Sequence, residues 1–147
     1  MIKNEHLLKE KELKLIKIIS EFLNGENIGY IDVRANCGNP VYINFYNDIF
    51  IFAFYCEDEI YITNITLKEE YRGKAIFRRL MNHIVTFCKE YNNMPIIFKI
   101  VVMEDFEKIL MRYNGKLIKE YKIGKDIAIL PETWLSRNNN IVGGIRK

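Results

Sequence analysis

Apolar residues recur along this chain with two periods. From Asn4 to Leu23, residues Leu8, Leu15, Ile16, Ile19, Phe22 and Leu23 fall at helical spacing while Lys and Glu fill the other face. This predicts an amphipathic helix stopped by Asn24-Gly25. The pattern then changes. Ile28–Ala35, Val41–Tyr46 and Ile49–Tyr55 are short β-branched and aromatic runs, parted by Asn36, Gly38, Asn39 and Pro40 and then by Asn47-Asp48. They read as three antiparallel strands of a meander. The third is almost continuously apolar, as suits a strand buried on both faces.

An acidic turn, Glu57-Asp58-Glu59, leads into a further strand, Ile60–Leu67. Helical spacing returns with Ile76, Phe77, Leu80, Met81, Ile84, Cys88 and Tyr91, a long helix broken by Asn92, Asn93 and Pro95. Ile96–Val102 is a strongly apolar strand. Glu104 and Asp105 open a shorter helix where carboxylates favour the dipole; its buried face is Phe106, Ile109, Leu110 and Tyr113, and Asn114-Gly115 ends it. Leu117–Ile123 and Asp126–Leu130 form a hairpin across Gly124-Lys125. From Trp134 the chain turns polar, which predicts a flexible tail over 134–147, with Trp134 itself closing the core. The fold class expected is α/β (α+β) in one domain, residues 1–133. Its central sheet is mixed and mostly antiparallel, with helices on both faces and one right-handed parallel strand–helix–strand unit.

Composition narrows the functions. At 147 residues, 49% hydrophobic and 28% charged, the chain has a soluble globular balance. A net charge of +3 is too small to imply nucleic acid by itself. Cys37, Cys56 and Cys88 have neither zinc spacing nor the even count of a disulfide framework, which points to a reducing cytoplasm. His6 and His83 are the only histidines, so a His-based metal site or a Ser–His–Asp triad is poorly supported and no metal is expected. No apolar run reaches membrane-spanning length, and the charged N-terminus is not a signal peptide.

Candidate chemistry sits where Ile60–Leu67 meets the long helix. Arg72, Lys74, Arg78 and Arg79 surround the helix start, and no acidic residue occurs from Tyr71 until Glu90. Cations at the positive end of a helix dipole repel it unless an anion lies there. A strand entering a helix through a glycine turn also presents unbonded N–H groups. The junction therefore reads as a phosphate or pyrophosphate pocket, and also fits a solvated basic helix start that binds nothing.

The element order and the stretch ITLKEEYRGKAIFRRLM resemble the GNAT superfamily of acyl-CoA-dependent N-acyltransferases. The family's central motif is Arg or Gln, two residues, Gly, one residue, then Gly or Ala, opening a helix after a strand. The six positions here are Arg72, Gly73, Lys74, Ala75, Ile76 and Phe77, with Ala75 for the usual Gly and Phe77 at a position usually small. The resemblance implies acetyl-CoA as cofactor. Main-chain groups of Ile65, Thr66 and Leu67 would pair with the pantetheine arm. N–H groups of Gly73 to Phe77 would hold the pyrophosphate, and Arg72, Lys74 and Arg78 would neutralise phosphates. It implies Glu59, thirteen residues before Arg72, as the base that deprotonates the amine. The usual general-acid Tyr, four residues before the last helix's terminal Gly, is Met111 here, and Tyr113 is the nearest substitute.

Three function classes remain. The first is an N-acetyltransferase acting on a primary amine, a protein Lys or N-terminus or a small cationic amine, with Glu57 to Glu59 favouring a basic acceptor. The second is a degenerate relative that binds coenzyme A or a macromolecular partner without turnover. The third, a nucleic-acid-binding domain, lacks clustered aromatics beside the basic patch. Exposed strand edges would suit a homodimer.

Overall fold

The computed structural model describes residues 2–73, 75–139, 141–142 and 145–146, with side chains described as far as residue 136. The chain opens with a two-residue strand, β1 (Ile2–Lys3), and a single 3₁₀ turn, Glu5–Leu7. Helix α1 (Glu10–Gly25) follows, then strands β2 (Asp32–Asn36), β3 (Tyr42–Tyr46), β4 (Phe50–Cys56) and β5 (Ile60–Leu67). Next come α2 (Ile76–Glu90), β6 (Ile96–Val101), α3 (Glu104–Arg112), β7 (Lys116–Glu120), β8 (Lys125–Ile129) and α4 (Pro131–Asn139). Two-residue strands β9 (Ile141–Val142) and β10 (Ile145–Arg146) pair antiparallel with each other.

Strands β1 to β8 form one sheet in the order β1-β2-β3-β4-β5-β6-β8-β7. Only β1–β2 and β5–β6 are parallel. The mixed, mostly antiparallel sheet and its parallel strand–helix–strand unit, β5-α2-β6, agree with the expected class. Helices α2, α3 and α4 meet over the middle of this sheet. In α2, α3 and α4, the rings of Phe77, Phe106 and Trp134 converge near Phe98 of β6. Phe98 pairs with Ile62, which pairs with Phe54, so these three share one sheet face. Helix α1 lies over the same face at Cys56, whose thiol feels Lys11 and Glu12. These helix contacts all lie on that face.

The covered face holds the core. Phe45, Phe50, Phe52 and Phe54 form a chain of ring contacts at 5.4–6.3 Å under α1 and α2. The opposite face carries Tyr42, Tyr55 and Tyr61, with Tyr55 stacked on Tyr61 at 4.7 Å and Tyr42 edge-on to Tyr55 at 5.0 Å.

Three boundaries depart from the sequence reading. The first helix starts at Glu10 rather than Asn4, because Asn4 takes a left-handed φ of 62° and its side-chain amide donates to the Ala35 carbonyl. Glu12 accepts the Lys9 N–H at 2.8 Å and seals the helix start. Strand β2 begins at Asp32, after positive φ at Asn27 and Gly29. The tail expected from Trp134 is instead helix α4 as far as Asn139. Trp134 is fully buried, stacked on Tyr113 at 3.8 Å, and its Nε1–H donates to Asn82 Oδ1 at 2.7 Å.

Candidate functional site

The turn between β5 and α2 is built for an open helix end. Gly73 holds φ +77°, a region that penalises any Cβ, and an added Cβ there would meet nothing within 4 Å. Ala75 occupies the N-cap of α2 at φ 59°. Alanine carries no side-chain oxygen, and among the described residues no side chain caps this helix. The first amides of α2, at Ile76, Phe77 and Arg78, have no intrahelical carbonyl to bond and lie at the positive end of the dipole. Lys74, expected among the phosphate-binding residues, lies outside the described residues.

The cations divide into two sets. Arg72 is exposed, and its Nε–H donates to the Leu67 carbonyl at 2.8 Å, tying the end of β5 to the turn. Arg78 is exposed. Arg79 pairs with Glu26 at the end of α1, which supplies the anion missing from the local sequence. The bulky Phe77 turns its ring into the core against Phe98, Phe106 and Trp134.

Beside this turn the sheet opens. Strand β5 pairs with β6 only at Ile60–Ile62, opposite Ile96–Phe98. From Thr63 to Leu67, including Ile65 and Thr66, the β6-facing edge of β5 has no strand against it among the described residues. Bulges lie at the point of divergence in both strands. In β5, Phe54↔Ile62 is followed by Ala53↔Asn64, leaving Thr63 as the extra residue. In β6, Phe98↔Ile127 is followed by Val101↔Lys125 across β8.

Glu59 is half-buried at the start of β5, eight residues from Leu67, or about 26 Å of extended strand. It shares the helix-free face with Tyr61. Burial, and then a hydrogen bond from its hydroxyl to Glu59, push the Tyr61 phenol up to about 12. Tyr113 caps the end of α3, is 7% exposed, and stacks on Trp134. Met111 is exposed.

One cluster was missed by sequence reasoning. Asp126 of β8 is 3% exposed and accepts from Ile100 N–H (2.8 Å), Lys99 Nζ (2.9 Å) and Tyr121 Oη–H (2.8 Å). Burial pushes its carboxyl up, but these three donors outweigh it and hold the pKa below the ordinary 3.8. The available signal was a carboxylate inside the apolar run DIAIL.

Two open clefts of about 350 and 460 Å³ lie between α1 and α2, touching Tyr91 and His83 respectively; neither includes the β5–β6 opening. Among the described residues, no helix is long and apolar enough to cross a membrane, and no group of three His, Cys, Asp or Glu could hold a metal ion. Cys37 is exposed, and Cys56 and Cys88 are buried free thiols.

Among solved structures, the chain is similar to the PaiA N-acetyltransferase of Thermoplasma acidophilum in complex with coenzyme A. Identity is 14%, with a TM-score of 0.46, covering 60% of this chain and 59% of that one. It is similar to a GNAT-family acetyltransferase of Staphylococcus aureus Mu50 (13% identity, TM-score 0.48, 82% of this chain and 92% of that one). It is also similar to Arabidopsis thaliana Naa50 in complex with the bisubstrate analogue CoA-Ac-MVNAL (16%, 0.45, 82% and 92%). No curated protein matches the sequence. A model of the acetyltransferase (GNAT) family matches residues 5–117, a span running from the 3₁₀ turn before α1 through the open strand edge and the α2 turn into β7, and the chain belongs to that family.

Proposed function

We propose that the protein is an N-acetyltransferase that moves an acetyl group from acetyl-CoA to a primary amine, on a protein Lys or N-terminus or on a small cationic molecule. The observation that carries this reading is the uncapped start of α2 lying beside the unpaired edge of β5. These features fit the cofactor: amides without intrahelical partners and an open surface over Gly73 suit a pyrophosphate, and a strand edge suits an amide-bearing arm.

Main-chain groups of Ile65, Thr66 and Leu67 would hold the pantetheine. Amides of Gly73, Ala75, Ile76 and Phe77 would hold the pyrophosphate, with Arg72, Lys74 and Arg78 as countercharges. Bound acetyl-CoA supplies the acetyl group as a thioester. Glu59 takes the proton that the attacking amine must lose, directly or through water, and Glu57 and Asp58 beside it favour a cationic acceptor. Tyr113, buried against Trp134, is left a packing role, and water is the proton donor to the departing thiolate. The free thiols suit a reducing cytoplasm.

That packing of Tyr113 also favours a second reading, a relative that binds coenzyme A without turnover. Calorimetric titration with acetyl-CoA, then acceptor screening with Glu59→Gln as control, separates the two. Saturable binding abolished by Arg72→Glu, with amine acetylation lost in Glu59→Gln, is the expected result. Binding without acetylation of any amine selects the second reading. No binding at millimolar acetyl-CoA refutes both.

A further inference from the structure

We propose that Asp126 is a positioning residue for the transfer site: its carboxylate holds the bulge in β6 that keeps β6 apart from β5. The proposal rests on the reading of the β5–β6 opening as the cofactor's place. Its geometry is local. The β5–β6 ladder stops at Phe98, and the bulge begins at the next residue. Between the Phe98↔Ile127 and Val101↔Lys125 pairings, two residues of β6, Lys99 and Ile100, stand against one of β8, Asp126. The surplus is taken up at Lys99-Ile100, where Ile100 adopts φ +50°. A β-branched side chain in that region is strained and persists only where its surroundings impose it.

The imposing group is Asp126. One carboxylate oxygen accepts the Ile100 N–H, and the other accepts Lys99 Nζ and Tyr121 Oη–H. The hairpin of β7 and β8 closes over the bulge: a Cβ on Gly124 would stand 2.8 Å from the Val101 carbonyl oxygen and 3.1 Å from Ile100 Cγ2. A buried carboxylate and a strained isoleucine are both costly in a strand that an apolar residue could straighten. What they secure is the divergence of β6 from β5. The same bulge leaves Ile100, Val102 and Met103 exposed at the end of β6.

The test separates holding the gap from merely stabilising the fold. Glycine takes φ +50° without penalty, so Ile100→Gly should relieve the need for the carboxylate. In Asp126→Ala, β6 is expected to re-pair with β5, so that hydrogen exchange over 63–67 slows about tenfold in the ligand-free chain. Acetyl-CoA binding should weaken by about tenfold or more, and Asp126→Ala with Ile100→Gly should return both readouts to within about threefold of the parent. Faster or unchanged exchange over 63–67 in Asp126→Ala overturns the proposal. So does a double variant no better than the single, or an Asp126→Ala chain that fails to fold and is not refolded by Ile100→Gly. If the parent itself does not bind acetyl-CoA, the proposed function fails, while the exchange measurement still decides the role of Asp126.

Discussion

Replacing Trp134 by alanine tests whether α4 belongs to the folded unit. Trp134 is fully buried among Phe77, Tyr113 and the Asn82 amide, and it is the only tryptophan in the chain. Burying about 200 Å² of aromatic side chain at about 25 cal/mol per Å² gives about 5 kcal/mol as an upper bound. Aromatic-to-alanine truncations in cores cost about 3–5 kcal/mol once partial collapse of the cavity is included. The two routes agree on about 4 kcal/mol, with the lost indole hydrogen bond inside that range. At about 2–4 °C per kcal/mol for a domain of this size, melting should fall by about 8–16 °C. Circular dichroism measures the melt in both chains. In the parent, tryptophan emission should be blue-shifted and move red in the same transition. Trp134→Phe, which keeps a ring, should lose less than half as much. A Trp134→Ala protein that melts within about 2 °C of the parent would refute the packing described and return residues from 134 onward to a tail.

Thiol labelling of the native protein at pH 8 should modify Cys37 alone. Burial pushes Cys56 up to about 11 and Cys88 up to about 12, and mass spectrometry after a short pulse counts the adducts. Gly115→Ala should destabilise by about 1–3 kcal/mol, read by urea titration, because its Cβ would stand 2.7 Å from Ile127 Cγ2 and 2.9 Å from the Leu110 carbonyl oxygen. Asp126 titrates lower folded than unfolded, so its stabilisation is complete above its ordinary pKa of 3.8 and is lost as pH falls through the lower folded value. Urea midpoints between pH 6 and pH 3 should therefore drop less steeply in Asp126→Asn than in the parent.

The sheet was legible because its strands are bounded by turn residues and one face is uniformly apolar, so Phe52, Phe54, Ile60, Ile62, Ile96 and Phe98 announce themselves by composition. Helix α2 was legible for a related reason: its buried residues Leu80, Met81, Ile84, Val85 and Cys88 leave one continuous stripe. Strand β1 was not, since Ile2 and Lys3 are too short a run to show a period and are ordered by β2. Helix α4 has only Trp134 and Leu135 as large apolar residues, and its polar sequence outweighed a start signal that was present, Pro131 followed by Glu132 in the first turn.

The candidate site was half legible, and the division follows the range of the interactions. The turn at Arg72 and Gly73 and the uncapped helix start are local, set by backbone preferences within a few residues, so their charge and glycine pattern could be read directly. What shapes the opening beside them is not local. Glu26 reaches Arg79 across 53 positions, and Asp126 reaches Lys99 across 27. Both pairings remove a charge from the account that sequence alone would draw up. Arg79 is paired with Glu26 at the end of α1, while Arg72 and Arg78 are exposed, so the proposed phosphate site draws on those two among the described cations. Asp126 converts an apolar strand into a bulged one at the residue where β5 and β6 part. The same division assigns Tyr113. Its sequence position near the end of α3 suggested chemistry, but its stacking partner, Trp134, comes from the segment expected to be loose. Once Trp134 is packed, the phenol ring is committed to the core.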